Sequence, residues 1–150
     1  MLISERRLSG GALLLRIGLG SVWIWSAMVS EWVAPRSVSL GLLESVGFAG
    51  PIAPLLLHVA SALDLLLGVL TLAGWFTRPV AVAQAVLIFG YSLLLVGHVP
   101  ELWTHPFAPI GKNIALIGGA LALALIGGGR WSIDAIVVKS AGAVKGEKSL

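Results

Sequence analysis

Residues 54–99, PLLLHVASALDLLLGVLTLAGWFTRPVAVAQAVLIFGYSLLLVGHV, decide what kind of protein this is. Two apolar runs, 54–76 and 79–99, flank the turn Thr77-Arg78-Pro79. Each run has about the 17–25 residues that carry an α-helix across a bilayer core. Pro79 has no N–H and a fixed φ, which suits the first turn of a helix. The stretch therefore predicts a transmembrane helical hairpin.

The same criterion, applied outward, places a span over 11–33 and a shorter one over 112–128. Composition agrees. Hydrophobic residues make up 57% of the 150 and charged residues only 11%, with mean hydropathy +0.98. Soluble domains carry about 25% charged residues, and one small core cannot hide this much apolar surface. The expected fold class is all-α, an integral membrane four-helix bundle. SVSLGLLESVGFAG (37–50) is too short and too broken by glycine to cross and predicts a short interfacial helix or re-entrant piece between spans one and two. After span four, Ile133, Ile136 and Val137 share one face of a second interfacial segment. The membrane unit occupies 1–134, and 135–150 forms a cytoplasmic segment ending in a mobile polar tail from Val144. The opening MLISERRLSGGALLLRIGLG reads as a retained signal anchor, since its apolar run continues past Trp23 and Trp25 without a clear cleavage site.

Basic residues set the orientation. With the N-terminus inside, Arg6, Arg7, Arg78, Arg130, Lys139, Lys145 and Lys148 lie in the cytoplasm, and Arg36 and Lys112 lie outside. Trp32, Trp75, Trp103 and Trp131 fall near span ends, as an interfacial aromatic belt does. Both termini are therefore expected in the cytoplasm, on a multi-pass protein. The net charge of +3 and pI near 9.8 reflect this topology. The cations form no stripe interleaved with aromatics, so nucleic acid is not an expected partner. The bilayer is, with homo-oligomerisation open.

Polar groups inside the spans carry the chemical information, because an ionised side chain at mid-helix costs about 2.5–3.5 kcal/mol on insertion scales. Arg16 in span one and Asp64 in span two have depths that suggest an interior pair. Such a pair either locks packing or works as a proton or ligand site. Asp64 shares a face with Ser61, Gly68 and Thr71, and small residues there admit a close neighbouring helix. At the outer end Glu31, Arg36, His58, His98, His105, Lys112 and Asn113 are expected to gather, as a solvated rim or as a pocket. Gln84, Tyr91 and His98 repeat every seven residues and share one face of span three. This stripe suits a quinone carbonyl or a proton relay, or simply satisfies polar groups between helices. The chain has no cysteine, which excludes disulfide exchange, thiolate metal sites and iron–sulfur clusters. Its three histidines lack a short ligand motif. No metal site is expected, and haem is disfavoured.

Three stretches together resemble the DoxX-like family of small bacterial membrane proteins. They are RIGLGSVWIWSAMVSEWVAP (16–35), ALDLLLGVLTLAGWFTRP (62–79) and HPFAPIGKNIALIGGALALALIGGGRWSID (105–134). The likeness runs from about Leu14 to Asp134, and the third stretch is its most specific part. It implies a four-span bundle in the bacterial cytoplasmic membrane and association with quinone-linked or other redox complexes. By position, Arg16 matches the family's arginine in span one, and Lys112-Asn113 its Lys-Asn pair. Asp64 stands where a glutamate is expected. Glu31 departs from the lysine that relatives often carry there, which alters any contact with an anionic substrate or acidic partner.

The resulting expectation is a membrane subunit of a respiratory or quinone-linked oxidoreductase assembly, more an accessory subunit than a catalyst on its own. It would dock a catalytic partner and contribute to a quinone pocket, with no intrinsic cofactor. The alternatives are a non-catalytic scaffold or assembly factor of another membrane complex, and a small anion or proton transporter. No inverted repeat of the transporter kind is visible.

Overall fold

A computed structural model of the chain describes residues 5–104 and 109–147. Among them the structure is helical, with no strand. Helix α1 spans Glu5–Met28 and continues through Val29–Val33 as a π-helix. Then come α2 (Arg36–Ser45), α3 (Ile52–Ala73), α4 (Thr77–His98), the short α5 (Glu101–Thr104), α6 (Pro109–Ile126) and α7 (Ile133–Glu147). The hairpin expected from 54–99 is α3 and α4.

Three helices, Glu5–Val33, Ile52–Ala73 and Thr77–His98, are long and apolar enough to cross a membrane. Ile110–Ile126 is apolar but shorter. Boundaries moved where hydropathy gives little signal. The first helix begins at Glu5 rather than at residue 11, its first turn, residues 5–8, being exposed and mostly charged. The fourth begins at Pro109, a residue suited to a helix's first turn. Helix α7 continues to Glu147, past Val144, where the sequence suggested a tail. Helix α2 is the short helix expected between spans one and two, and it buries none of its residues.

Helix α1 packs chiefly against α3, and α4 against α6, with α1 and α6 joining the two pairs. Small residues make the first contact. A Cβ on Gly68 would lie 2.7 Å from Ile24 and 2.9 Å from the Gly20 carbonyl, so the two backbones nearly touch. One apolar core of Ala12, Leu19, Ala81, Ala85, Ala120 and Leu123 lies between α1, α4 and α6. A second, of Trp23, Leu67, Val80 and Ile88, lies between α1, α3 and α4. The outward faces stay apolar, with Leu14, Leu55, Val86, Phe89, Leu121 and Leu125 exposed. That is the surface a bilayer covers.

The start of α1, the α3–α4 turn and the α6–α7 connection meet at one end of the bundle, its base. There the Arg130 amide donates to Ser9 Oγ at 3.3 Å, and the Asp134 amide to the Gly74 carbonyl at 3.1 Å. The opposite end, the crown, carries the π-helix, α2 and the start of α3. Trp32, Trp75 and Trp131 are exposed.

Candidate functional site

Three polar clusters occupy three depths of the bundle. The lowest is built around Arg16, which is only 3% exposed. Its guanidinium donates to the carbonyls of Thr71 (3.0 Å), Leu72, Gly128 (3.1 Å) and Trp131 (2.7 Å). Thr71 and Leu72 end α3, where carbonyls lack intrahelical partners. The planar fork of five donors is what allows one side chain to tie two connections together. Gly74 closes α3 in a left-handed conformation (φ 66°), with its amide on Thr71 and the Trp75 amide on Leu70, both at 3.1 Å. A Cβ at Gly74 would lie 2.6 Å from Arg16 Cζ, so the glycine also makes room for the arginine.

Asp134 completes the base. Its carboxylate accepts from the Phe76 amide (2.9 Å), the Thr77 amide (2.9 Å) and the Thr77 hydroxyl (2.7 Å). Phe76 is held at φ 49°, a conformation that bulky residues rarely adopt, and Asp134 is what anchors it. Burial alone raises the Asp134 carboxyl. The bonds from Thr77 and Phe76 and the nearby charge of Arg16 outweigh that and hold it below the ordinary carboxylate range. Ser132 caps α7 by accepting from the Ala135 amide at 3.2 Å.

The expected Arg16–Asp64 pair does not form. Arg16 is committed to Thr71, about 10 Å further along α3 at 1.5 Å per residue. Helical side chains lean toward their own N-terminus. Because α1 and α3 run in opposite directions, Arg16 leans to the base and Asp64 toward the crown.

Asp64 instead belongs to the middle cluster. It is 8% exposed and accepts a hydrogen bond from Ser26 Oγ at 3.1 Å. Among the described residues its Oδ1 has no partner, nor has the buried Ser61 Oγ one turn away. The Tyr91 hydroxyl lies within electrostatic reach of Asp64. Ser26 and Tyr91 are open at the surface, so this cluster reaches the lipid-facing flank. Gln84 lies deeper, fully buried, donating to Thr71 Oγ1 at 2.9 Å, with its Oε1 unpartnered among the described residues.

The Gln84–Tyr91–His98 stripe therefore splits by depth. Gln84 packs in the core, Tyr91 is partly exposed, and His98 turns back to the Leu94 carbonyl of its own helix at 2.9 Å.

At the crown His58 bridges two charges. Its Nδ1 pairs with Glu31, and its Nε2 meets Arg36 at 3.1 Å. Arginine only donates, so Nε2 accepts and Nδ1 carries the proton toward Glu31. The π-helix sets Glu31 here, its extra residue shown by the Ala34 amide bonding Val29 at 2.9 Å. The rest of the expected outer pocket is not drawn into this triad. Asn113 donates to Ser92 on α4 at 2.9 Å. Lys112 is exposed and in no ion pair among the described residues. His105 lies outside the described residues. Among those described, no three His, Asp or Glu side chains gather as a metal site would require.

Thr77, Ser132 and Asp134 were missed as a set. The Arg-Trp-Ser-Ile-Asp ending is visible in the sequence, but its partners lie 57 and 58 residues away.

The family model described as the DoxX-like family matches residues 20–123. No curated protein and no solved structure gave a significant match.

Proposed function

This chain belongs to the DoxX-like family, and from that premise we propose that it is a small integral membrane subunit of a respiratory or quinone-linked oxidoreductase assembly. The observation that carries the reading is the Asp64 cluster. Among the described residues a buried carboxyl with one unpartnered oxygen is bonded by Ser26 and lies one helical turn from Ser61, with Ser26 and Tyr91 open to the lipid-facing flank. A quinone diffuses in the same hydrocarbon layer. Its carbonyls would take hydrogen bonds from the Ser61 or Tyr91 hydroxyl, and Asp64 is the group placed to hold a proton beside them. Arg16 takes no part in this step, being spent on carbonyls at the base.

The base carries Arg6, Arg7, Arg78, Arg130 and Lys139. This supports an orientation with the base and both termini in the cytoplasm of a bacterial inner membrane. The apolar outer faces are the surface for lipid and for partner subunits, or for a second copy of the chain. The Glu31–His58–Arg36 triad then faces the opposite compartment as a charged contact for a catalytic partner.

Purification from native membranes in mild detergent, with mass spectrometry of co-purifying proteins, tests the reading. Stoichiometric oxidoreductase subunits are the expected result. A stoichiometric partner complex without redox subunits would replace it with a scaffold of other assemblies.

A further inference from the structure

The base holds an open cleft of about 610 Å³ whose charge the Asp64 site does not use. It runs between the start of α4 and the α6–α7 connection, lined by Phe76, Arg78, Pro79, Gly127, Val138 and Lys139 among others. Arg78 lies over Gly127. A Cβ on that glycine would meet its Nε at 3.5 Å, so the guanidinium rests on bare backbone at the cleft wall. Lys139, on the second turn of α7, provides a second cation. Among the described residues neither joins an ion pair.

The cleft's acid, Asp134, does not neutralise them. Its oxygens already accept three hydrogen bonds from Phe76 and Thr77, and it also feels the charge of Arg16. The site thus offers two free cations beside apolar walls. Trp75 and Phe76 stack next to it, ring centroids 5.3 Å apart, both exposed in the manner of an interfacial anchor. Two cations, an apolar wall and an aromatic anchor at the end of a spanning bundle match a phosphate with acyl chains attached better than a free anion.

We propose that this cleft binds the headgroup phosphate of an anionic glycerophospholipid, with Arg78 and Lys139 as its ligands and Phe76, Pro79 and Val138 against the glycerol and upper chains. Such basic pockets between spans are a recognised mode of lipid selection. The proposal stands apart from the quinone reading, because it uses neither Asp64 nor its neighbours.

The test uses the full chain in nanodiscs of mixed phosphatidylglycerol and phosphatidylcholine, followed by gentle delipidation and mass spectrometry of retained lipid. Retained lipid is expected to be enriched in phosphatidylglycerol. Arg78→Gln or Lys139→Gln should each weaken that preference about fivefold, and the double variant about thirtyfold. Arg78→Lys should keep most of it. Helical content and the unfolding temperature of the variants, measured in parallel, show that they fold, since both side chains lie outside the Arg16 network. Retention without phosphatidylglycerol preference, or a preference unchanged in the double variant, would overturn the proposal. So would displacement of the lipid by millimolar inorganic phosphate, which would make the site one for a free anion.

Discussion

Asp134 and Thr77 are joined twice, the carboxylate accepting from the Thr77 amide at 2.9 Å and from its hydroxyl at 2.7 Å. This ties the start of α7 to the start of α4 and places a negative charge at a helix N-terminus, where exposed amides favour it. The arrangement gives the bundle a pH-dependent joint.

The sign follows from the direction of the Asp134 shift. Its folded carboxyl titrates below the ordinary value, which is about 3.9 for an unfolded chain. Its contribution to stability is therefore complete above that value and is lost as pH falls through it toward the folded pKa. Thermal unfolding in detergent from pH 7 to pH 3 should show the wild type losing stability in the acid range. Asp134→Asn should be less stable at pH 7 and should lose less on acidification. An identical pH profile for the two would remove Asp134 from the account.

Arg16→Met leaves the carbonyls of Leu72, Gly128 and Trp131 without their donor and Thr71 with the Gly74 amide alone. The expected loss is on the order of 3 kcal/mol. Arg16→Lys keeps the charge but not the planar fork, and should recover only part of it. Full recovery by lysine would mean that charge alone holds the base.

Gly68→Val should destabilise the α1–α3 contact, because the new atoms would press on Ile24 and on the Gly20 backbone. Overpacking of this kind costs about 1–3 kcal/mol. Gly90→Ala on α4 provides the contrast. A Cβ there meets nothing within 4 Å, so the substitution should raise stability by about 0.5–1 kcal/mol through helix propensity. Equal effects from the two would contradict the close approach of α1 and α3.

Much of the fold was legible because lipid imposes a simple length rule. The α3–α4 hairpin and the apolar runs at 11–33 and 112–128 follow from hydropathy alone, and α2 from a glycine-broken stretch between spans. Ser61, Asp64, Gly68 and Thr71 do form part of the buried face of α3, since helical periodicity is local. What failed was inference from depth. Arg16 and Asp64 lie at heights that a long side chain bridges, but antiparallel helices aim the two apart. The Asp134 joint depends on tertiary contact and left no local signal. Nor did the π-helix at Glu31, which the sequence reads as the last turn of an ordinary span. The gathering of Glu31, Arg36 and His58 at the outer end was legible, and only the bridging geometry of His58 was not.

The most direct measurement is the quinone content of the protein extracted from its native membrane in mild detergent, compared with Asp64→Asn and with Tyr91→Phe as a milder change. The account predicts bound quinone in the wild type, its loss in Asp64→Asn with unfolding temperature essentially unchanged, and reduced retention in Tyr91→Phe. A wild type free of quinone, or an Asp64→Asn variant that retains it fully, would contradict the assignment of the Asp64 cluster.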